Sequence, residues 1–562
     1  MNASLVALSR PAKISILAVA IVAVVGIASY DAVLQESTAR WVADASIYSI
    51  GSLILLLLVA GRVLLPAKLR QIYDGGTGRT PVAIYGAGDA GLQLFAALKT
   101  SNDYRPVFFV DDSAAKQRLV IAGLRVKPYK ALARASATGK IAQVFLAMPS
   151  ISPENRKRLS VKLLRLSVKV KVMPSYADIL TAGSVIQSLN NVSPDDLLGR
   201  ERVDLDMPEI AATYLGRSVL VTGAGGSIGS ELARQIVGAN ARKLVLYEHS
   251  EHALYQIERE LRSTADAQGV QLVLVLASVT DAERARAVLR AEEIDIVLHA
   301  AAYKHVPMME DNEISGARNN VIGTQIMADA ASATGVRRFL LVSTDKAVRP
   351  TNIMGATKRL AELVVQDRQS RSSHTIFSMV RFGNVLGSSG SVIPLFREQI
   401  KAGGPITLTH PDVTRYFMTI PEAARLVLVA GSYAEGGEVF MLKMGQPVRI
   451  YDFARRMVEL SGLSVRDACN PAGEIELKYI GLRPGEKLFE ELFIDAHSLR
   501  TPHPKIMCAE EAMFSQIEIA RLLHDLSAAI DINDAVAVRQ IIRKWVDGYH
   551  TRAPSRDLSA AS

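Results

Sequence analysis

The chain has 562 residues, of which 49% are hydrophobic, so it is too long for one ordinary domain and can bury several cores. Its formal net charge of +9 suits nucleic acid, anionic lipid or an anionic substrate, unless it is surface charge without a dedicated partner. The only cysteines, Cys469 and Cys508, lie far apart outside any CxxC pattern, which argues against a disulfide framework or a zinc site.

Two apolar segments open the chain. Residues 14–30 carry no charge and residues 45–65 carry only Arg62, so each approaches the roughly 20 residues that a membrane-spanning helix needs. A second span directly after the first disfavours a cleaved signal peptide. Basic residues flank the outer ends of the pair, which predicts that both ends face the cytoplasm. We expect residues 1–70 to be a membrane anchor with two transmembrane helices; a re-entrant or core hairpin is the alternative.

A strand, a glycine turn and a helix follow the anchor. Gly86, Gly88 and Gly91 are followed about 20 residues later by Asp111, which is the spacing of a dinucleotide-binding unit with an acid for a ribose. No catalytic set follows, so we expect residues 78–195 to be a degenerate Rossmann-like module, with ligand binding as the alternative. A basic run at residues 156–171 either meets anionic headgroups or is a solvated helix face. It lacks interleaved aromatics, so nucleic acid is not expected.

A second glycine turn lies between a strand and a helix at Gly223, Gly226 and Gly229. The free N–H groups at the start of such a helix favour a pyrophosphate. The next strand ends at Glu248, and an acid there accepts ribose hydroxyls and repels a 2′-phosphate, which selects NAD over NADP. Further strands are predicted at residues 272–276, 295–299 and 338–342, alternating with helices. This pattern predicts a doubly wound parallel sheet.

The segment that carries the chemistry begins where the last of these strands ends. Short-chain dehydrogenases place a Ser or Thr there, then a Tyr and a Lys four residues apart on one helix face. Here Thr344 and Lys358 are present, but Met354 replaces the tyrosine and cannot accept a proton. Asp345 and Lys346 follow Thr344 directly. An acid and an amine suit a dehydration, with Asp345 kept protonated and Lys346 depressed in pKa by burial or by Lys358. An ordinary surface pair is the alternative.

The segment STDKAVRPTNIMGATKR resembles the large, membrane-bound UDP-N-acetylglucosamine 4,6-dehydratases of bacteria, which are extended short-chain dehydrogenases known as polysaccharide biosynthesis proteins. The resemblance covers essentially the whole chain. It also rests on four further segments, namely HAAAYKHVPMMEDN, NNVIGT, VRFGNVLGSSGSVIPLF and GLRPGEKLFEEL. Methionine at the tyrosine position is itself a mark of this large subfamily.

The resemblance implies a complete reaction. Hydride leaves C4 for NAD, water is eliminated across C5 and C6, and the hydride returns to C6 with C5 retained, giving UDP-2-acetamido-2,6-dideoxy-D-xylo-hexos-4-ulose for surface polysaccharide or glycoprotein glycans. Thr344 would hydrogen-bond the C4 oxygen, Asp345 would be the acid and Lys346 the base. Lys358 would hold the cofactor ribose. The acceptor of the C4 hydroxyl proton is open, with a water relayed to Asp345 or Lys358 as one possibility.

The resemblance also implies the residues that bind each ligand. For NAD they are Gly223, Gly226, Ser227, Ile228, Gly229, Glu248, Ser278, Val279, Ala300, Ala301, Ala302 and Lys358. For a UDP-N-acetylhexosamine substrate they are Lys304, His305, Asn384, Ser391, Arg415, Arg483 and Glu486. Arginine suits a diphosphate because its charge and donor geometry match phosphate oxygens. No metal is expected.

The predicted fold class is therefore α/β, with two Rossmann-like doubly wound parallel-sheet domains preceded by transmembrane helices. Residues 196–510 would be the NAD-binding dehydratase domain with its substrate subdomain, and residues 511–562 would be C-terminal helices and a disordered tail. We expect a multi-pass protein of the bacterial inner membrane with a cytoplasmic catalytic domain. It would contact membrane lipid and form a homo-oligomer. The gluco or galacto configuration of the substrate is left open.

Two departures from the family pattern and two rival functions accompany this interpretation. The large dehydratases commonly carry four spans, whereas two are predicted here. The family's GD-x-x-D stretch is replaced by Ala277-Ser-Val-Thr-Asp281, in which Ser278 can still hydrogen-bond the adenine. A UDP-sugar 4-epimerase needs only reversible oxidation at C4 and keeps the tyrosine. A catalytically silent membrane scaffold that senses NAD or nucleotide sugars would leave the Thr-Asp-Lys set unexplained.

Overall fold

The structure is a computed structural model and describes residues 79–148, 190–191, 208–491, 498–509, 511 and 513–549, together with isolated positions between 151 and 173. The predicted membrane anchor and the predicted disordered tail from Thr551 lie outside the described residues. Within the described part, no helix is both long enough and apolar enough to cross a bilayer.

The chain divides into two compact units, residues 1–81 with 98–106 and residues 82–97 with 107–562. In the first unit, Arg79 Nη2 donates to Asn102 Oδ1 at 3.1 Å and Thr80 N donates to the Asp103 carbonyl at 2.7 Å. These bonds tie the start of a strand to a turn. The candidate active site belongs to the second unit. The four-part domain division predicted from the sequence stays a prediction.

Residues 80–191 form a mostly parallel sheet. Its strands are β1 (Thr80–Tyr85), β2 (Tyr104–Val110), β3 (Val120–Ile121), β4 (Leu124–Lys127), β5 (Gln143–Leu146), β6 (Lys169–Val172) and β7 (Asn190–Asn191), and its helices are α1 (Asp89–Thr100) and α2 (Tyr129–Ala137). The strand order is β3-β4-β2-β1-β5-β6-β7. The central strands are continuous buried apolar runs, as expected for parallel strands that are covered on both faces.

The glycine turn of this first sheet has the predicted geometry, but the acid predicted to bind a ribose, Asp111, already accepts backbone hydrogen bonds. A Cβ at Gly91 would lie 2.0 Å from the Gly86 carbonyl oxygen, so the helix packs directly on the turn. The Asp111 carboxylate accepts from Ala87 N at 3.0 Å and from Ser113 N at 2.9 Å. These bonds stabilise the turn, as a degenerate module would require. Ligand binding here stays a hypothesis.

The remaining described residues form a larger sheet, three small sheets and most of the helices. The strands are β8 (Ser218–Thr222), β9 (Lys243–Glu248), β10 (Gln271–Leu276), β11 (Ile296–His299), β12 (Arg338–Val342), β13 (Ile376–Arg381), β14 (Asn384–Val385), β15 (Ile406–Leu408), β16 (Thr414–Arg415), β17 (Phe417–Met418), β18 (Val439–Leu442), β19 (Val448–Arg449), β20 (Val465–Arg466), β21 (Ile475–Tyr479), β22 (Ser498–Arg500) and β23 (Ile506–Ala509). The helices are α3 (Pro208–Tyr214), α4 (Ser227–Gly238), α5 (Glu251–Ala267), α6 (Ala282–Ala291), α7 (Val306–Glu310), α8 (Glu313–Ala317), α9 (Gly323–Thr334), α10 (Ile353–Arg371), α11 (Val392–Lys401), α12 (Ile420–Tyr433), α13 (Ile450–Leu460), α14 (Gln516–Asp531) and α15 (Ala535–Trp545). A π-helical turn (Arg318–Ile322) leads into α9.

The larger sheet confirms the predicted Rossmann-like α/β fold of this part of the chain. Its order is β10-β9-β8-β11-β12-β13-β18-β23-β22, parallel as far as β18 and antiparallel beyond it. The chain runs outward from β8 to β10 and then resumes on the other side at β11. The order therefore reverses beside β8, and open parallel sheets bind their ligands at the carboxyl ends next to such a reversal.

Two elements outside the sheet complete the surroundings of the site. The hairpin α14–α15 packs its apolar face on α10, with Leu522, Leu526 and Trp545 in one buried cluster with Leu360 and Val364. The small strands β15, β20 and β21 join α11 and α13 around a separate apolar core. Residues at the carboxyl ends of the sheet strands and residues of this smaller subdomain thus line the same cavity.

A fully buried ion pair joins β13 to α10. Arg381 is 0% exposed, and its Nε donates to Glu362 Oε1 at 2.7 Å. Glu511, which follows β23, forms a second ion pair with the same guanidinium. Ser343 Oγ at the end of β12 also donates to Glu362 Oε1, at 2.6 Å. Burial alone would raise the pKa of Glu362, but Arg381, Arg359 and Ser343 lower it to about 2.

Removing this arginine should strongly destabilise the protein. Arg381→Met would leave the buried carboxylates Glu362 and Glu511 with only Arg359 as a shared cation, and we expect a loss of about 3–5 kcal/mol in the free energy of unfolding. Chemical denaturation followed by circular dichroism measures it. The matched control is Arg455→Met, which breaks the exposed pair with Glu459 and should cost at most about 1 kcal/mol. Equal losses in both variants would contradict a special role for the buried pair.

Candidate active site

The glycine turn after β8 fits a dinucleotide. Gly223 has a φ of 63°, and a Cβ at Gly229 would lie 2.0 Å from the Gly223 carbonyl oxygen, so only glycines allow α4 to start this close to the turn. Gly226, Ser227, Ile228 and Gly229 line a cavity of about 820 Å³ at the start of that helix. Backbone N–H groups and the helix dipole favour a pyrophosphate there.

Glu248 is fixed beside this turn. Its Oε2 accepts from Gly225 N at 3.0 Å, and its Oε1 accepts from His249 N and Ser250 N, each at 3.0 Å. Each carboxylate oxygen can accept more than one hydrogen bond, so the ribose role predicted for Glu248 is compatible with these contacts. The buried negative charge also fits NAD better than a cofactor with a 2′-phosphate.

The other residues predicted for the cofactor divide into two groups. Ala300, Ala302 and Lys358 line the cavity. Gly223, Ser278, Val279 and Ala301 are instead involved in packing and local hydrogen bonds. A Cβ at Gly223 would lie 2.8 Å from Ala301 Cα, Val279 packs against α9, and Ser278 Oγ shares a hydrogen bond with Thr280 at 2.8 Å. The structure thus brings the first group to the cavity, and the second group is not among the residues that line it. The predicted roles of both groups stay predictions.

Thr344, Asp345 and Lys346 form a hydrogen-bonded set at the carboxyl end of β12. Thr344 Oγ1 donates to Asp345 Oδ1 at 3.0 Å, and Lys346 Nζ donates to the same oxygen at 3.1 Å. Asp345 is 2% exposed and the side chain of Lys346 is 19% exposed, so the alternative of an ordinary surface pair is wrong. Thr344 and Lys346 line the same cavity as the glycine turn. The hydroxyl of Thr344 and the amine of Lys346 therefore face the cavity, and Asp345, which is not among its lining residues, is hydrogen-bonded to both.

A glutamate that the sequence analysis did not select completes this set. Glu490 Oε1 lies 3.4 Å from Lys346 Nζ and 3.6 Å from Arg415 Nε. Arg415 Nη2 in turn contacts Glu486 Oε1 at 3.1 Å. Glu490 lies in the segment GLRPGEKLFEEL, where the analysis assigned only Arg483 and Glu486. The signal that could have identified Glu490 is its place as a further acid in a segment on which the family resemblance rests.

The charges around the pair correct one prediction. Burial raises the pKa of Asp345, and the charge of Glu490 adds to this effect, which favours the protonated acid. Lys346 was expected to have a depressed pKa. Burial does act in that direction, but the carboxylates of Asp345 and Glu490 outweigh it and raise the pKa. Lys346 is therefore held as an ammonium ion in the free protein. Lys358, in contrast, is desolvated with only Glu362 opposing, and its pKa falls to about 8.

Met354 and Lys358 lie one turn apart on α10, and both line the cavity. Lys358 Nζ donates to the Val342 carbonyl at 2.7 Å, which ties the helix to the end of β12. The start of α10 is capped twice, because Asn352 Oδ1 accepts from Gly355 N at 2.8 Å and Glu310 Oε1 accepts from Ile353 N at 2.6 Å. Met354 occupies the predicted tyrosine position and offers no proton acceptor.

The residues predicted for the substrate come together beside Lys346, where all of them except Ser391 line both the larger cavity and a smaller one. A cavity of about 280 Å³ is lined by Lys304, His305, Asn384, Arg415, Arg483 and Glu486. Asn384 Oδ1 accepts from Lys346 Nζ at 2.9 Å. Burial lowers the pKa values of Lys304 and His305. Ser391 lines the larger cavity, where its buried Oγ has no hydrogen-bond partner among the described residues.

A loop of the substrate subdomain touches the glycine turn directly. Ser389 N donates to Ser227 Oγ at 3.2 Å. Gly390 has a φ of 66°, and a Cβ there would lie 2.3 Å from His305 Cε1, so this loop packs tightly on the substrate side as well. The presumed cofactor and substrate positions therefore share one boundary.

These features define a nucleotide-sugar-modifying enzyme of the dehydratase and epimerase class. The chain belongs to the polysaccharide biosynthesis protein family, whose sequence profile matches residues 219–511. It is 42% identical over 451 residues to the capsular polysaccharide biosynthesis protein CapD of Staphylococcus aureus, covering 79% of this chain and 74% of that protein. Among the described residues, no cluster of histidine, cysteine or acidic side chains could hold a metal ion.

More distant relatives include enzymes of both kinds. An inverting UDP-N-acetylglucosamine 4,6-dehydratase of Campylobacter jejuni is 31% identical over 278 residues, covering 49% of this chain and 76% of that protein. A UDP-glucose 4-epimerase of Rickettsia rickettsii is 37% identical over 201 residues, covering 35% and 56%. The crystal structure of Pen from Bacillus thuringiensis matches with a TM-score of 0.48 and 29% identity, over 56% of this chain and 99% of that one.

The glycine turn yields a prediction about bound nucleotide. Gly229→Ala places a methyl group against the Gly223 carbonyl and should reduce the NAD that copurifies with the protein at least about tenfold, the loss expected for about 1.4 kcal/mol of binding energy. Nucleotide content is measured by absorbance and mass spectrometry of the denatured supernatant. Gly238→Ala, at the far end of α4 where a Cβ meets nothing within 4 Å, is the control. Undiminished NAD in Gly229→Ala would contradict the assignment.

Proposed function

We propose that this protein is a UDP-N-acetylglucosamine 4,6-dehydratase that uses NAD and retains the configuration at C5. The observation that carries the proposal is the contact between the buried acid Asp345 and the amine Lys346, 3.1 Å apart beside Thr344. A reaction that only oxidises and reduces C4 has no use for such a pair. A dehydration needs both an acid for the leaving hydroxyl and a base for the acidified C–H bond.

The proposed mechanism gives each residue one role. Bound NAD would accept the C4 hydride and return it at C6. Thr344 Oγ1 would hold the C4 oxygen, and its 3.0 Å hydrogen bond to Asp345 provides a path for the C4 hydroxyl proton. Asp345, protonated at the start, gives its own proton to the C6 hydroxyl, which leaves as water, and it is then reprotonated by the C4 hydroxyl proton, which a water would hold in between. Lys346 takes the proton from C5 and returns it there after hydride arrives at C6. Both side chains end as they began, and the net change is the loss of one water.

The surrounding residues support this assignment by position. Lys358 reaches the cavity next to Met354, where it can hold the nicotinamide ribose. Arg415 and Arg483 line the smaller cavity, where guanidinium groups suit a diphosphate. Glu486 lies beside them, where it can accept from a uridine ribose, and Ser391 offers a hydroxyl that has no partner among the described residues. Substrate selection by these side chains is part of the proposal, including the choice between the gluco and galacto forms.

The cellular setting is proposed from the sequence. The apolar segments at residues 14–30 and 45–65 support a multi-pass anchor in a bacterial inner membrane, in contact with lipid and with the catalytic domain in the cytoplasm. An uncharacterised protein of Methanocaldococcus jannaschii that is 45% identical over 289 residues is called a membrane protein. We further propose a homo-oligomer.

Mass spectrometry of the detergent-purified protein with UDP-N-acetylglucosamine, without added NAD, tests the reaction. We expect the substrate to lose one water, and Lys346→Ala and Asp345→Asn to slow this about 10²- to 10⁴-fold, which is the usual contribution of general acid–base groups. Lys401→Ala, at the exposed end of α11, is the control. An unchanged mass with NAD supplied and with the galacto isomer also tried would favour the silent scaffold. A new retention time at unchanged mass would favour the epimerase.

The configuration at C5 is tested separately. In deuterium oxide the other hydrogens on the Lys346 amine are deuterium, so an amine that removes the C5 proton and returns a hydrogen to the same face should give a product with deuterium at C5 and the D-xylo configuration. Proton NMR of the product reports both properties. An inverted C5 would leave the dehydratase in place but would show that the proton returns to the opposite face, which would contradict the single-base mechanism.

A further inference from the structure

Glu490 holds a position that the proposed mechanism does not use. Its carboxylate is 5% exposed and lies between two cations, 3.4 Å from Lys346 Nζ and 3.6 Å from Arg415 Nε. Among the described residues, Glu490 is the only one in contact with both Lys346 and an arginine proposed for the diphosphate. A carboxylate buried at such a junction fixes both neighbours.

The contacts of Lys346 show what Glu490 contributes. An ammonium group has three N–H donors. Lys346 donates to Asp345 Oδ1 at 3.1 Å and to Asn384 Oδ1 at 2.9 Å, and it forms an ion pair with Glu490 Oε1 at 3.4 Å. Glu490 is therefore the third partner of the amine, which is held from three sides. Since two of the three partners are carboxylates, the ammonium form is favoured.

We propose that Glu490 is a positioning residue, which orients Lys346 and sets the pH range in which the Asp345–Lys346 pair operates. This inference rests on the proposed function for the chemical roles of that pair. The physical basis is that the negative charge of Glu490 stabilises the protonated form of each member. Removing the charge without changing the size of the side chain should therefore lower the pKa values of both Asp345 and Lys346.

The charged groups that face the pair support this direction. Lys346 is surrounded by Asp345 and Glu490, with Arg415 opposing them. Asp345 is influenced by Lys346 and Glu490. Burial would raise the pKa of Glu490 itself, but Lys346, Arg415 and Lys487 outweigh this effect and lower it, so Glu490 keeps its charge when the pair titrates. Two groups this close share macroscopic pKa values, which belong to the pair.

A dehydration needs Asp345 protonated and Lys346 neutral, so kcat should follow a bell-shaped pH profile with one limb from each macroscopic pKa. Glu490 raises both values. In Glu490→Gln the amide oxygen can still accept from Lys346, but the charge is gone. We expect the whole profile to move to lower pH by on the order of one pH unit, the smaller end of what a neighbouring charge does. If Glu490 only supported the structure, its replacement would lower kcat at every pH without moving the profile along the pH axis.

The experiment compares Glu490→Gln with Glu491→Gln across pH. Glu491 is the next residue, and its side chain is 41% exposed and pairs with Arg349 at 3.1 Å and with Lys487 at 3.2 Å. Glu491→Gln therefore removes the same charge from a carboxylate that does not contact Lys346. We expect only Glu490→Gln to shift both limbs, with KM changed less than about threefold because Arg415 keeps its contact with Glu486. Superimposable profiles, or equal shifts in both variants, would overturn the inference.

A second measurement needs no dehydratase activity. Competitive acetylation of the intact protein with trace acetic anhydride, followed by peptide mass spectrometry, gives the fraction of neutral Lys346 at each pH. Glu490→Gln should raise this fraction at a given pH about tenfold, the equivalent of one pH unit, whereas Glu491→Gln should match the wild type. If the labelling curve shifts in a protein that dehydrates nothing, Glu490 has the inferred role and only the proposed function fails. An unshifted curve would overturn the role of Glu490.

Discussion

The buried contact between Arg381 and Glu362 fixes the parts of the site relative to one another. Arg381 ends β13, Glu362 lies on α10, and Ser343 at the end of β12 donates to the same carboxylate at 2.6 Å. Leaving a buried charge unpaired costs several kcal/mol, so these three elements cannot move apart independently. Thr344 follows Ser343, and Lys358 lies one turn before Glu362. The position of Asp345 and Lys346 relative to α10 is thus set by a contact between two residues that line neither cavity.

The sequence predicted those parts of the site that depend on local geometry. The turn at Gly223–Gly229, the strand that ends before Thr344 and the shared helix face of Met354 and Lys358 each follow from spacing within one segment. Glu490 was missed because it reaches Lys346 only through the packing of a distant loop. The predicted pKa of Lys346 had the wrong direction for the same reason, since burial is suggested by an apolar context but a carboxylate from elsewhere in the chain is not.

Arg415, an arginine proposed for the diphosphate, is paired with carboxylates. It contacts Glu486 at 3.1 Å and Glu490 at 3.6 Å. A diphosphate that binds Arg415 must therefore compete with carboxylates, and the guanidinium is held in place beforehand. Such an arrangement sacrifices some affinity but limits the loss of side-chain entropy on binding.

Glu511 and the hairpin that follows it limit how the protein can be shortened. Glu511 comes after the last strand of the sheet, yet it is one of the two carboxylates that neutralise Arg381. The hairpin α14–α15 covers the apolar side of α10. A protease that cuts between β23 and α14 would expose this face and detach a charge partner from the interior. The C-terminal end is therefore part of the catalytic fold, and a truncated form for crystallisation must extend through Tyr549.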